Sequence, residues 1–458
     1  MTEAVVELPP EQPREAPRSL LRQILAQGVT AGLIKLAAIV FSYLFLILLA
    51  RNISEAEYGR YGFAISLVVF LGALATGGQQ TAIVRFWPQF LGQGDPARAK
   101  GALWLGFGTV LAFSFVIMLL AVLVVSLGKL VNPGLATGYL YAAAFMVLPA
   151  GLCAFQSAAL RAQGSVVGAL LPSDILHRGG LLLALLFLLL QGGSEITAES
   201  MLWISGLLWL LVLAPQTVRI LVGARRAAPD VAADYGIAGW RSSGAVFLAL
   251  TLFGVLSQSA DVLVLGLYFG PEETGGYFAA LKVASLFLLF FLAANILSGP
   301  MISRAFHRGD LAEVQRICRA VSGLMVVPAL LGLAIVVFAG PQILGFFGPA
   351  YSEAYPLLTV LATGTVCFIL NGPAGSVLMM TGNERTLLKM LCISRVGMVV
   401  LQVALVPLIG PLGAALGNAF GNIALSLWAR QFLRRCLGVD PSFVSLLSGR
   451  SKAAEARP

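Results

Sequence analysis

SEAEYGRYGFA at residues 54–64 and PEETGGYFAA at residues 271–280 are two copies of one pattern, and their spacing decides the fold. Glu57, Gly59 and Tyr61 match Glu273, Gly275 and Tyr277 at a shift of 216 positions. Downstream, GQGDPARAK from Gly92 matches HRGDLAEVQ from His307, with Gly94 and Asp95 falling on Gly309 and Asp310 at a shift of 215. Arg178 falls on Arg395 at 217. A shift this constant over so long a stretch reads as an internal duplication, with each copy taking about half of the chain.

What each copy contains follows from composition. The chain has 458 residues, 58% of them hydrophobic and only 11% charged, against about 25% charged in a soluble protein. A hydrocarbon core about 30 Å thick takes roughly 20 residues per helix, so twelve spans and short connections use the length almost completely. The apolar runs place spans at 27–50, 61–84, 102–127, 138–160, 168–191 and 200–221, then at 244–269, 276–299, 321–343, 353–379, 388–409 and 411–433. The expected organisation is a flexible tail over 1–25, a first lobe over 26–222, a polar linker over 223–243, a second lobe over 244–433 and a basic tail over 434–458. Six is an even number, so the two lobes point the same way and are related by an axis along the membrane normal. The fold class is all-α polytopic, twelve helices in two pseudo-symmetric six-helix lobes.

The net charge of +9 suits nucleic acid or a topology signal, and its distribution favours the second. With the N-terminus inside, 23 of the 30 Lys and Arg residues fall on the cytoplasmic face and three, Arg51, Arg60 and Lys129, fall outside. That asymmetry puts both termini in the cytoplasm. The Pro- and Glu-rich start VVELPPEQPREAPR is unlike a cleaved signal peptide. The five cysteines show no paired spacing, and His177 and His307 have no Cys at ligand distance, so no metal or disulfide is expected.

The segments LARNISEAEYGRYGFAISL from Leu49, TAIVRFWPQF from Thr81 and the GQGD loop resemble the first hairpin of polysaccharide-biosynthesis flippases. These are members of the multidrug, oligosaccharidyl-lipid and polysaccharide exporter superfamily. SADVLVLGLYFGPEETGGYFAALKVASL, PMISRAFHRGD, VLMMTGNERTLLKM and LIGPLGAALGNAFGN follow that family's order of features, so the resemblance covers residues 20–435. Its specificity comes from order and spacing, not from a single motif. The resemblance implies a MATE-like, two-lobed flippase of the Wzx type in the bacterial inner membrane. Such a protein moves an undecaprenyl-diphosphate-linked oligosaccharide to the outer leaflet, draws on a proton or sodium gradient rather than a cofactor, and works beside polysaccharide polymerase and assembly proteins.

Charged residues inside the spans are the independent test, because each costs about 2.5–3.5 kcal/mol at the bilayer centre on insertion scales. There are six: Lys35, Asp174, Arg178, Asp261, Lys282 and Arg395, with a net charge of +2. That balance suits an anionic substrate. The apolar run GGLLLALLFLLL from Gly179 is only twelve residues long, so the fifth span must reach back through Arg178 and Asp174. Asp174 and Arg178, four apart, share a helical face and can pair. Arg178 and Arg395, at matched depth on related spans, are expected to face each other across a cavity and hold a diphosphate through bidentate guanidinium contacts. Snorkelling to the inner headgroups is the competing reading. Lys35 adds a third positive group. Asp261 and Lys282 flank the outer hairpin of the second lobe, either as a structural ion pair or as an ion-coupling site.

Asn371, Gly372 and Pro373, and Gly299 with Pro300, mark expected hinges. The stripe Gly413, Gly417, Gly421 is expected to serve close helix packing. A membrane glycosyltransferase needs catalytic carboxylates, and the short outer loops carry none in a defensible pair, so an enzyme is not expected. No GxxxxGK[ST] motif occurs. The alternative is a cation-coupled multidrug exporter of the same superfamily, in which the first span commonly carries a carboxylate where this chain has Lys35.

Overall fold

Lipid offers the backbone no hydrogen-bond partner, so each spanning segment must satisfy its own peptide groups, and the apolar segments are accordingly helical. The computed structural model describes residues 17–447 apart from 135, 193–195, 228, 230 and 237–239, and among these there is no strand. The first half runs α1 (Pro17–Asn52), α2 (Glu55–Ala75), α3 (Gln79–Gly92), α4 (Pro96–Val131), α5 (Gly138–Ala162), α6 (Val166–Leu170), a π-helical turn (Leu171–Leu176), α7 (His177–Leu190) and α8 (Ala198–Ala227). The second runs α9 (Trp240–Tyr268), α10 (Pro271–Ser285), α11 (Phe287–His307), α12 (Leu311–Gly345), a 3-10 turn (Pro349–Ala354), α13 (Tyr355–Leu370), α14 (Ala374–Met380), α15 (Glu384–Ile409) and α16 (Pro411–Cys436).

Among the described residues, ten spans are long and apolar enough to cross a membrane, and α9, bent by 62° between Leu256 and Gln258, makes an eleventh if its two parts count as one span. The segment expected at 276–299 is divided between α10 and α11. Its break has a local cause: the Ser285 hydroxyl donates to the Lys282 carbonyl at 2.7 Å, and Leu286 N–H turns to the Val283 carbonyl instead. The segment expected at 61–84 is likewise broken, between α2 and α3, where Gly77 and Gly78 take φ of 54° and 76°. Only glycine adopts that backbone freely, and a Cβ at Gly78 would also overlap the Gly244 carbonyl of α9. A third break separates α13 from α14 at Asn371, Gly372 and Pro373, the stretch marked as a hinge, with Gly372 at φ 73°.

The repeated Gly-Asp pairs have a shared physical reason. Gly94 and Gly309 are left-handed at φ 72° and 76°, and each following aspartate caps a helix. Asp95 accepts from Arg98 N at 3.0 Å and Asp310 from Glu313 N at 2.8 Å. The glycine stripe of α16 lets α15 approach closely, with Gly413 against Leu405, Gly417 against Gln402 and Gly421 against Met398.

The halves meet where α3 passes α9 at Gly78 and Gly244, and again at the end of the bundle that carries the 52–55 and 269–271 turns, the end poor in Lys and Arg. There α2 packs on α10 and α9. Gly62 accommodates the Phe278 ring, and Gly275 lies against the Glu55 carbonyl. Tyr58, fully buried, meets Phe278 and Tyr351 at ring separations of 5.6 and 5.5 Å. Aromatic pairs of this kind contribute about 0.5–1.5 kcal/mol each beyond area burial.

Helix and packing extend into the described parts of the segments expected as tails. α1 starts at Pro17, inside the segment read as an N-terminal tail, and residues 1–16 lie outside the described residues. After α16 the chain turns back. Asp440 takes paired bonds from Arg430 at 3.0 Å, its backbone exchanges two bonds with Gln315 of α12, and Phe443 N–H caps the Leu370 carbonyl left free by the α13–α14 break. The linker is anchored too. Asp234 N–H donates to the Ala97 carbonyl, Arg98 reaches the Asp234 carboxylate at 3.2 Å, and Lys100 donates to the Val231 carbonyl.

Candidate functional site

A cavity of about 650 Å³ lies between α1, α2, α5, the π-helical turn, α7, α8, α9 and α10. Its charged lining residues are Arg161, Asp174, Arg178 and Lys282. The π-helical turn sets this wall. Pro172 has no N–H to give to a preceding carbonyl, and the Ser173 hydroxyl takes up the Ala169 carbonyl at 3.1 Å. Widening the helix here brings Asp174 and Arg178 towards α1.

Asp174, only 6% exposed at its side chain, is 2.6 Å from Lys35 Nζ and 3.6 Å from Arg178. Arg178 also donates to Ser42 Oγ at 2.7 Å and to the Ala38 carbonyl at 3.5 Å. Three of the sequence candidates therefore form one cluster. The next residue of α1, Tyr43, donates to the Lys282 carbonyl at 2.7 Å and lies 3.0 Å from Ser285 Oγ. Adjacent residues of α1 thus link Arg178 on the first half to Lys282 on the second. The Lys282 ammonium stands 4.8 Å over the Phe278 ring, and no carboxylate pairs with it among the described contacts.

Two expected arrangements do not occur. Arg395 does not line this cavity and does not face Arg178. It is 6% exposed and donates to Asn422 Oδ1 at 3.0 Å between α15 and α16. Asp261 is not ion-paired with Lys282. Its carboxylate accepts from Tyr277 at 2.8 Å and from Asn418 at 2.9 Å. Asn422 in turn donates to Asn418 at 3.0 Å, so Tyr277, Asp261, Asn418, Asn422 and Arg395 form one buried hydrogen-bonded chain within the second half. A buried carboxylate and a buried guanidinium each need such partners, and the asparagines supply them to both.

Reading by sequence missed Arg161, Ser42, Tyr43, His177 and Trp209 as cavity residues. Arg161 counted as a cytoplasmic charge and His177 was weighed only as a metal ligand. His177 lies against Ser205 at 3.1 Å, and its ring stacks on Trp209 with centroids 4.0 Å apart. No group of three metal-ligating side chains occurs among the described residues.

With the geometry in place, comparison with known proteins is informative. The sequence profile of the family described as "Polysaccharide biosynthesis protein" matches residues 24–306. A probable flippase, AglR, from Haloferax volcanii is 26% identical over 194 residues, 40% of this chain and 39% of that protein's length. An inward-facing multidrug-resistance MATE transporter of the MOP superfamily superposes with a TM-score of 0.64 at 14% identity, over 87% of this chain and 95% of its own. The lipid II flippase MurJ, in an inward closed conformation, gives 0.63 at 15% identity over 89% and 87%. The fold is therefore that of MOP-superfamily transporters.

Proposed function

The chain belongs to the polysaccharide biosynthesis protein family, and from that membership we propose that it is a flippase for an undecaprenyl-diphosphate-linked oligosaccharide in the bacterial inner membrane. The observation that carries the proposal is the cationic surplus of the central cavity. Arg161, Arg178 and Lys282 line it, with Asp174 as the one carboxylate among its described lining residues. A low-dielectric cavity of that sign concentrates anions and repels cationic drugs. Arg178 from one half and Lys282 from the other grip the diphosphate, so the substrate itself bridges the parts that must rock. The aromatic contacts of Tyr58, Phe278 and Tyr351 close the end poor in Lys and Arg, and on this reading the basic face and both termini are cytoplasmic. The glycan crosses in the cavity while the lipid tail stays in the bilayer. AglR, described as a probable flippase, and the structural neighbour MurJ, described as a lipid II flippase, support the same reading.

We propose that coupling to a proton or sodium gradient uses Asp261, the fully buried carboxylate whose hydrogen bonds tie α9 to α10 and α16. Reconstitution tests the function. Proteoliposomes containing the protein should speed leaflet exchange of a lipid-linked oligosaccharide over that of a phospholipid. Equal acceleration of both lipids, or of neither, contradicts it.

A further inference from the structure

The cavity wall carries two chemistries on one helical turn. Asp174 and Arg178 turn towards α1, where Lys35 and Ser42 meet them. Ser173 and His177 line the same cavity on the side of α5 and α8, with Ser157, Ser205 and Trp209. We propose that the His177–Trp209 stack is the saccharide subsite, receiving the pyranose ring next to the diphosphate that Arg178 holds. The inference rests on the flippase reading and adds to it where the sugar lies and what recognises it.

Four features support it. A pyranose offers an apolar C–H face and a rim of hydroxyls, and an aromatic ring set among hydroxyls complements both. Here the indole is half-buried and lines the cavity, Ser205 lies against His177, and Ser157 and Ser173 line the same cavity. The stack is also held in place, as a recognition surface must be: His177 is 7% exposed, with Nε2 fixed by Ser205 and its ring nearly parallel to Trp209. The other imidazole nitrogen, Nδ1, is buried and has no hydrogen-bond partner among the described residues. Leaving such a group unsatisfied is costly, and a sugar hydroxyl admitted by a small side-chain rotation would satisfy it. A cavity of about 650 Å³ falls in the range of about 300–1,000 Å³ that holds drug-sized ligands, which suits a diphosphate with its first sugar.

The test is equilibrium binding of two lipids to the full chain in nanodiscs: a polyprenyl-diphosphate-linked oligosaccharide, and the same polyprenyl diphosphate without sugar. Trp209→Leu should weaken the saccharide-bearing lipid about tenfold and leave the bare diphosphate within about twofold. Trp209→Phe should restore most of the loss, because it returns an aromatic face. Arg178→Ala should weaken both lipids. A Trp209→Leu variant that affects both lipids equally, or neither, overturns the subsite. A wild type that binds the two lipids with equal affinity overturns the subsite and leaves the diphosphate grip standing. A wild type that binds neither overturns the flippase reading and the subsite with it.

Discussion

If Arg178 grips the diphosphate as proposed, Asp174 competes with the substrate for that cation, and removing its charge should tighten binding. In the cavity its carboxylate lies 2.6 Å from Lys35 and 3.6 Å from Arg178. A phosphate taking its place on the Arg178 guanidinium would come within about 6 Å of it. Two unit charges at that separation repel by about 3 kcal/mol at an effective dielectric of about 20, and by about 0.7 kcal/mol in bulk water. Asp174→Asn should therefore lower the Kd for polyprenyl diphosphate between about 3-fold and about 100-fold. Arg178 should keep its place in the variant, because Ser42 Oγ and the Ala38 carbonyl hold it independently. Tighter binding of the ground state also predicts slower release, so transport should fall as affinity rises. The assay is titration of the variant in nanodiscs with the sugar-free lipid. A folded Asp174→Asn protein with unchanged or weaker affinity would refute the reasoning that Asp174 stands in for the substrate anion.

Other parts of the structure give further expectations. Burial pushes the Asp440 carboxyl up, but the hydrogen bonds from Arg430 and Ser442 and the Arg430 charge more than offset this and leave it below the usual carboxylate range. A lowered carboxyl contributes stability that is present above its unfolded value of about 3.9 and lost as pH falls through the folded value. Asp440→Asn should thus cost about 1–2 kcal/mol at pH 7, after discount for partial solvation, with the difference narrowing only below about pH 4; thermal unfolding in detergent at several pH values measures it. A Cβ at Gly275 would meet the Glu55 carbonyl at 2.6 Å, so Gly275→Val should cost the closed basic-poor end about 1–3 kcal/mol. Labelling of a cavity Ala150→Cys from that side by an impermeant thiol reagent should rise about tenfold. If Asp261 couples an ion to transport, Asp261→Asn should abolish the dependence of rate on the imposed gradient, and a dependence that persists would remove Asp261 from that role.

The repeat shift of 216 located equivalent positions along the helices, but it carried no information about which way the equivalent side chains face. Arg178 and Arg395 are a clear example. The first sits on a helix opened by a π-helical turn beside α1, and it reaches the cavity. The second lies on the continuous α15, where Asn422 of α16 takes its guanidinium. Positions 45 and 261 show the same divergence: Phe45 meets the Tyr61 ring at 5.8 Å, whereas Asp261 accepts from Tyr277 at 2.8 Å. The spans themselves were legible because lipid enforces apolar helices of known length. Their breaks were legible at Gly372 and Pro373, where residue type dictates backbone, and less so at Leu286, where a side-chain hydroxyl competes for one carbonyl. The contact of His177 with Trp209 could not be read, because the two are 32 residues apart in sequence and become neighbours only when α7 packs on α8.

The central claim is that Arg178 and Lys282, one from each half, hold the substrate diphosphate while the halves rock. Appearance of a lipid-linked oligosaccharide in the opposite leaflet of proteoliposomes measures this directly for wild type, Arg178→Ala and Lys282→Ala. Each lost charge-assisted contact amounts to about 1.5–3 kcal/mol, so each variant should transport about 10-fold to 150-fold more slowly while remaining folded and inserted. Wild-type rates in both folded variants would contradict the account.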